Sequence, residues 1–275
     1  MEPIKVNNIS IIDLAAGSRL FAARRSVLIK LKIFFDINYF CNNITLLTLR
    51  YTISDKNSQV YAMPEVLISG PEGRIESRYT HSNKDKSPAV VILHAHPGHG
   101  GNMNNFLSLQ LHKNFSDNGF STLRFNFRGV GRSDGEHDGS EGELADSAIA
   151  LDWIQNQNQS TNEYWICGIS FGAWIGMQLL MRRPEISKFI LLAPPAGKYD
   201  FNFLAPCPAS GLVVSGEKDN LIDHSILQTL VKKLNTQPNI KVYHDIIKGS
   251  DHFFSDHEDN VIQRVSNYIL KSQTQ

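Results

Sequence analysis

The segment Gly168-Ile169-Ser170-Phe171-Gly172 joins the apolar run YWICGI to FGAWIGMQLL, so a serine stands where a strand turns into a helix. Such a turn lifts the hydroxyl clear of a sheet, and glycines two residues to either side let strand and helix approach. The start of the helix adds a favourable partial positive charge. The chemistry on offer is nucleophilic attack. A serine hydroxyl needs a base for that, and the base needs an acid to orient it. Two further sites supply them in the chain order serine, acid, histidine: Asp219 in GLVVSGEKD and His252 in IIKGSDHFF, each just past an apolar strand. Reactive groups of parallel sheets gather at those strand ends. His252 would take the Ser170 proton, and Asp219 would hold the imidazole in the required tautomer. Rivals exist but fit less well. Asp223, His224 and His257 fall on expected helices, His244 falls inside a strand, and Asp251 points away from its neighbour His252. The plainer reading of Ser170 is a helix N-cap.

The elements that must position these groups follow from periodicity. EVLIS and IESRYT flank Gly70-Pro71-Glu72-Gly73, which predicts a hairpin. Then strand-length apolar runs alternate with helix-length segments. PAVVILH, FSTLRFNF, YWICGI, KFILLAP, GLVVSG and IKVYHDII read as strands. NMNNFLSLQLHKNFSDN, ELADSAIALDWIQNQ, FGAWIGMQLLMRR, SILQTLVKKLN and DNVIQRVSNYILK read as helices, the first closing on the C-cap candidate Gly119. This alternation predicts an α/β domain with a mostly parallel central sheet and helices on both faces.

Composition narrows the partners. The chain of 275 residues has 27 basic and 27 acidic side chains, so charge gives no reason to expect nucleic acid. Its three cysteines, Cys41, Cys167 and Cys207, form no CxxC pair, which fits a reducing, cytoplasmic setting. No 18-residue apolar run is present, so stable membrane insertion is not expected. Residues 1–62 stand apart, with eight basic and four acidic side chains and no clean alternation of elements. They read as a basic N-terminal extension, poorly ordered, or as absent from the native product if translation starts at Met63. The domain proper is expected over residues 63–275. The sequence carries no signal for an oligomeric state.

Residues 63–275 resemble the α/β-hydrolase superfamily, and within it a branch of small microbial serine hydrolases. The residues that carry the resemblance are HAHPGHGGNMNN, LRFNFRGVGRSDG, GISFGA, LAPP, VVSGEKD and GSDHFF. It implies hydrolysis of an ester, thioester or amide through a Ser170–His252–Asp219 triad and an acyl-enzyme, with no cofactor and with a small-molecule acyl substrate. A carboxylesterase is favoured, because esters are the least demanding acyl donors; a scaffold that keeps the fold without catalysis is the alternative. In this fold HAHPGHGG enters the oxyanion loop. One backbone donor is expected from Phe171, the residue after the nucleophile, and the other from Gly98 or, second, His99. A zinc reading of His94, His96 and His99 needs three or four ligands, and no convincing partner set follows, so no metal is expected and His94 is read as a satisfied strand-end residue. Arg128 and Arg132 are read first as ties between loop and sheet through carboxylates such as Asp134, and second as anchors for an acidic group. Only about 15 residues separate LLAPP from GLVVSG, so at most a very short lid is expected, with Phe201, Phe203 and Leu204 as its lip or as edge packing.

Overall fold

The computed structural model describes residues 65–273. The extension expected over residues 1–62 lies outside the described residues. Two strands, β1 (Glu65–Gly70) and β2 (Gly73–Thr80), form the antiparallel hairpin. β2 then pairs antiparallel with β4 (Ser121–Phe125). From there every pairing is parallel, through β3 (Ala89–Leu93), β5 (Tyr164–Ile169), β6 (Ile186–Leu192), β7 (Ser210–Gly216) and β8 (Val242–Ile247). The sheet order is β1-β2-β4-β3-β5-β6-β7-β8. All residues of β3, β4 and β5 are buried, which is why β3 and β5 read as continuous apolar runs: a strand covered on both faces has no solvent side to alternate with; β4 buries Ser121, Thr122 and Arg124 as well. β4 lies on one side of β3 and β5 on the other. The order of winding therefore reverses at β3, and a reversal of this kind opens a crevice at the carboxyl ends of the strands.

Among the described residues five α-helices cover the sheet: α1 (Phe106–Asp117), α2 (Glu141–Gln157), α3 (Phe171–Leu180), α4 (His224–Leu234) and α5 (Glu258–Gln273). α1 packs on α5, and α2 on α3. α4 buries Leu227, Leu230, Val231 and Leu234, and α5 buries Val261, Val265, Tyr268 and Ile269; both sets recur at helical spacing and mark one apolar stripe per helix. α3 differs, being apolar nearly all round, because it lies against β3, β5 and β6 with α2 behind it. α1 begins at Phe106 rather than at the asparagine-rich segment before it. There Asn102 N–H donates to Asn105 Oδ1 and Asn104 N–H to Asn102 Oδ1, and such side-chain turns compete with helix for the backbone. No helix among the described residues is long and apolar enough to cross a membrane.

The segment between β6 and β7 forms a single 3-10 turn, Asn202–Leu204, and no long lid. Phe201 and Leu204 are buried in the core and Phe203 is partly buried against it, so the edge-packing reading of these residues holds. The loop after β4 is tied as its charges suggested, though by other partners. Arg128 forms a bidentate pair with Asp146 on α2, at 3.1 and 2.9 Å, while Asp134 pairs with Arg74 of the hairpin at 3.0 Å.

Arg128 is 7% and Asp146 1% exposed. Removing one partner of a buried pair strands the other charge, at a cost of about 3–5 kcal/mol. Asp138 remains 3.8 Å from Arg128, so the lower end applies. Asp146→Ala should destabilise the fold by about 3 kcal/mol and lower the thermal midpoint by roughly 10 °C. Calorimetry checks this; a midpoint within about 2 °C of wild type would contradict it.

Candidate active site

Ser170 sits between β5 and α3 with φ 51° and ψ −112°, a conformation that side chains with a Cβ rarely adopt and that costs about 1–3 kcal/mol. It persists because its surroundings fix it. Ser170 N–H donates to the Leu192 carbonyl oxygen of β6 at 2.8 Å. A Cβ at Gly168 would lie 2.5 Å from Ala173 Cα, and one at Gly172 2.5 Å from the His94 carbonyl oxygen. The two glycines thus let the turn press against its own helix and against the end of β3.

The structure brings Ser170, His252 and Asp219 together. Ser170 Oγ is 2.8 Å from His252 Nε2, and His252 Nδ1 is 2.7 Å from Asp219 Oδ2. Asp219 follows β7 and is 3% exposed; its second oxygen accepts from Leu221 N–H at 2.8 Å. His252 lies in the loop after β8. Since Nδ1 faces a carboxylate, it carries the proton, and Nε2 is left to accept from the Ser170 hydroxyl. Four of the rivals are engaged elsewhere, and the fifth, His224, opens α4 with neither ring nitrogen hydrogen-bonded. Asp223 caps α4 through Ser225 and Ile226 N–H, Asp251 accepts from Phe253 and Ser255 N–H, His244 bonds Ser215 Oγ, and His257 bonds the Ser255 carbonyl.

The three histidines after β3 separate into different roles. His94 is 1% exposed. Its Nε2 accepts from Phe127 N–H at 3.1 Å, so Nδ1 donates to the Ala95 carbonyl at 2.6 Å. Burial pushes this imidazole down to about 4, so it is neutral and has no free nitrogen. His96 Nδ1 accepts from Gly98 N–H at 3.0 Å, and His99 N–H donates to the His96 carbonyl at 3.1 Å. Both donors expected for an oxyanion, Gly98 and His99, are therefore already engaged inside the Pro97–His99 3-10 turn. The N–H groups of Phe171 and His96 make no hydrogen bond to a described residue, and the two side-chain rings are 5.0 Å apart. Among the described residues no group of three His, Cys, Asp or Glu is placed to hold a metal ion.

Sequence reasoning did not reach the wall around Phe171. Trp174, one helical turn beyond Ser170, stacks on Tyr199 with ring centroids 4.5 Å apart. His137, from the loop before α2, lies 4.8 Å from the His96 ring and 5.7 Å from the Phe171 ring. Its Nδ1 is 2.6 Å from Glu143 Oε1, and Glu143 is fully buried. No periodicity marks a loop histidine that meets the site only through tertiary packing.

Two measurements follow from these contacts. At pH 5 an unfolded histidine binds a proton that the buried His94 refuses, so acid favours unfolding; His94 contributes stability that is complete above pH 6.5 and is lost as the pH falls toward 4. Between pH 6.5 and 5 that loss is about 2 kcal/mol. Urea unfolding at pH 7 and pH 5 should show at least this drop, and equal stability at the two values would contradict it. Gly172→Ala should cost about 1–3 kcal/mol by overpacking the turn against β3, whereas an unchanged urea midpoint would show that the turn has slack.

Comparison with known proteins agrees with this architecture. The profile of the alpha/beta hydrolase fold family matches residues 88–211. An uncharacterized protein of Rickettsia prowazekii is 44% identical over 216 residues, which is 77% of this chain and 91% of that protein. A solved structure of a protein of unknown function from Agrobacterium tumefaciens, itself a candidate alpha/beta hydrolase, is 47% identical with a TM-score of 0.75, over 77% of this chain and 97% of that one. An alpha-beta serine hydrolase homologue from Coxiella burnetii is 30% identical with a TM-score of 0.69, over 77% and 99%. The chain belongs to the alpha/beta hydrolase fold family.

Proposed function

We propose that this protein is a serine hydrolase that cleaves carboxylic esters through an acyl-enzyme. The observation that carries this reading is the unbroken hydrogen-bond chain from Ser170 Oγ through both nitrogens of His252 to the buried Asp219. In the proposed reaction Ser170 Oγ attacks the carbonyl carbon and its proton passes to His252 Nε2. Asp219 stabilises the resulting imidazolium and fixes its orientation. Negative charge develops on the carbonyl oxygen. The Phe171 and His96 N–H groups, both free of hydrogen bonds to described residues, would receive it; His96 takes this role in place of Gly98 and His99, whose donors are engaged. Losing one such donor typically raises the barrier by about 2.7–4 kcal/mol. His252 then gives its proton to the departing alkoxide. Water, deprotonated by the same nitrogen, releases the acid and restores the serine.

The mechanism draws every proton transfer from the chain itself. Ester hydrolysis is placed ahead of amide hydrolysis because an alkoxide leaves far more readily than an amine anion; a thioester, whose thiolate leaves more readily still, is open to the same chemistry. The serine hydrolase homologue from Coxiella burnetii supports the assignment of class.

Steady-state hydrolysis of p-nitrophenyl acetate tests the reading. Wild type should turn over, Ser170→Ala should lose about 10⁴-fold or more in kcat, and Asp219→Asn should lose about 10⁴-fold because the imidazole is then held in the wrong tautomer. A Ser170→Ala variant with wild-type turnover, or folded wild type without turnover on any acyl ester, would favour a scaffold that keeps the fold without the chemistry.

A further inference from the structure

Beside the oxyanion turn lies a cleft of about 630 Å³, within the size range of small-molecule sites. One wall is the turn over residues 97–104 and the other is the loop over residues 129–132, with His137 at the junction. The cleft opens next to the reacting centre, because His137 packs on the rings of His96 and Phe171, whose backbone donors face the carbonyl oxygen in the reaction proposed above. No residue of the loop that carries His252 lines it. The leaving oxygen must lie within reach of His252, so a substrate bound at Ser170 directs its acyl chain, and not its leaving group, toward this cleft.

The walls differ from those of an alkyl-chain pocket. Pro97 and Val130 supply the apolar side chains; the rest is glycine backbone, asparagine carboxamides, Glu76, Arg132 and His137. His137 and Asn104 each carry a polar atom on this wall with no hydrogen-bond partner among the described residues, as does Glu76 through Oε1. His137 commits Nδ1 to Glu143 and leaves Nε2 open, and Asn104 commits Oδ1 to Arg124 and leaves Nδ2 open. An alkyl chain would desolvate these atoms without replacing their hydrogen bonds to water. A carboxylate fares no better. The Arg132 guanidinium is paired with Glu65, and Glu76, 6% exposed, presents a carboxylate held by Asn126 Nδ2 and Arg132 N–H at 2.8 Å each. Resting on the hydrolase reading, we propose that this cleft is the acyl subsite and that it selects uncharged, hydroxylated acyl groups. His137 and Asn104 are its specificity-determining residues.

Three ethyl esters of similar length test this: ethyl butyrate, ethyl 3-hydroxybutyrate and monoethyl succinate. Wild type should show kcat/KM at least tenfold higher on the hydroxy ester than on either of the others. Val130→Trp, which fills the cleft, and His137→Leu, which removes the open nitrogen, should each bring the ratio of hydroxy ester to butyrate below about three, with each rate referred to the same variant's turnover of ethyl acetate on folded protein. A wild-type ratio near one, a preference for the succinate, or a ratio that both variants leave intact would overturn the cleft assignment while the hydrolase reading stands. Wild type inert on all four esters would overturn the hydrolase reading, and this assignment with it.

Discussion

A single backbone constraint organises the site: a residue with a Cβ is held at positive φ between a strand and a helix. The strain at Ser170 is sustained by packing on both sides, because Gly168 and Gly172 admit the helix and the end of β3 at distances no side chain would allow. That geometry turns the hydroxyl out of the sheet and leaves the next N–H, that of Phe171, without an internal partner. The β5–α3 junction then needs only two loops, after β7 and β8, to complete the hydrogen-bond chain. Parallel strands deliver all of these groups to one edge of the sheet, at the point where its winding order reverses.

The second organising feature is where the buried polar groups find partners. His94 closes on Ala95 and Phe127 and so anchors the start of the loop after β3 to the segment that follows β4. Arg128 and Asp146 fix the loop after β4 to α2, and Glu143 on the same helix holds His137 against the aromatic cluster around Phe171. These contacts do no chemistry. They determine which N–H groups and which imidazole nitrogens stay open, and it is the open atoms that give the site its direction.

Much of this was legible from residue order. The central strands β3 and β5 are continuous apolar runs because the sheet is covered on both faces, and Ser170, Asp219 and His252 each stand past the end of a parallel strand, so their convergence follows from topology once the alternation is read. Which amides stay open in the loop after β3 was not legible in the same way. Gly98 and His99 follow a proline in a glycine-rich turn, whereas the structure engages both N–H groups within a 3-10 turn that the His96 ring itself caps; glycine content says that a turn can be tight, not which amides it uses. Nor did any local pattern show that the Asn102 and Asn105 side chains delay the start of α1, or that His137 reaches Phe171 across 34 positions of chain. Phe201 and Leu204 were apolar enough for either a lip or a core, and only the fold places them in the core.

The central claim is that the strained serine is the reactive one. Peptide mass spectrometry of the folded protein after treatment with a fluorophosphonate tests it most directly. The account predicts a single phosphonyl adduct on the peptide that contains Ser170. An adduct on another serine, such as Ser215 beside His244, or no adduct on folded protein, would contradict it.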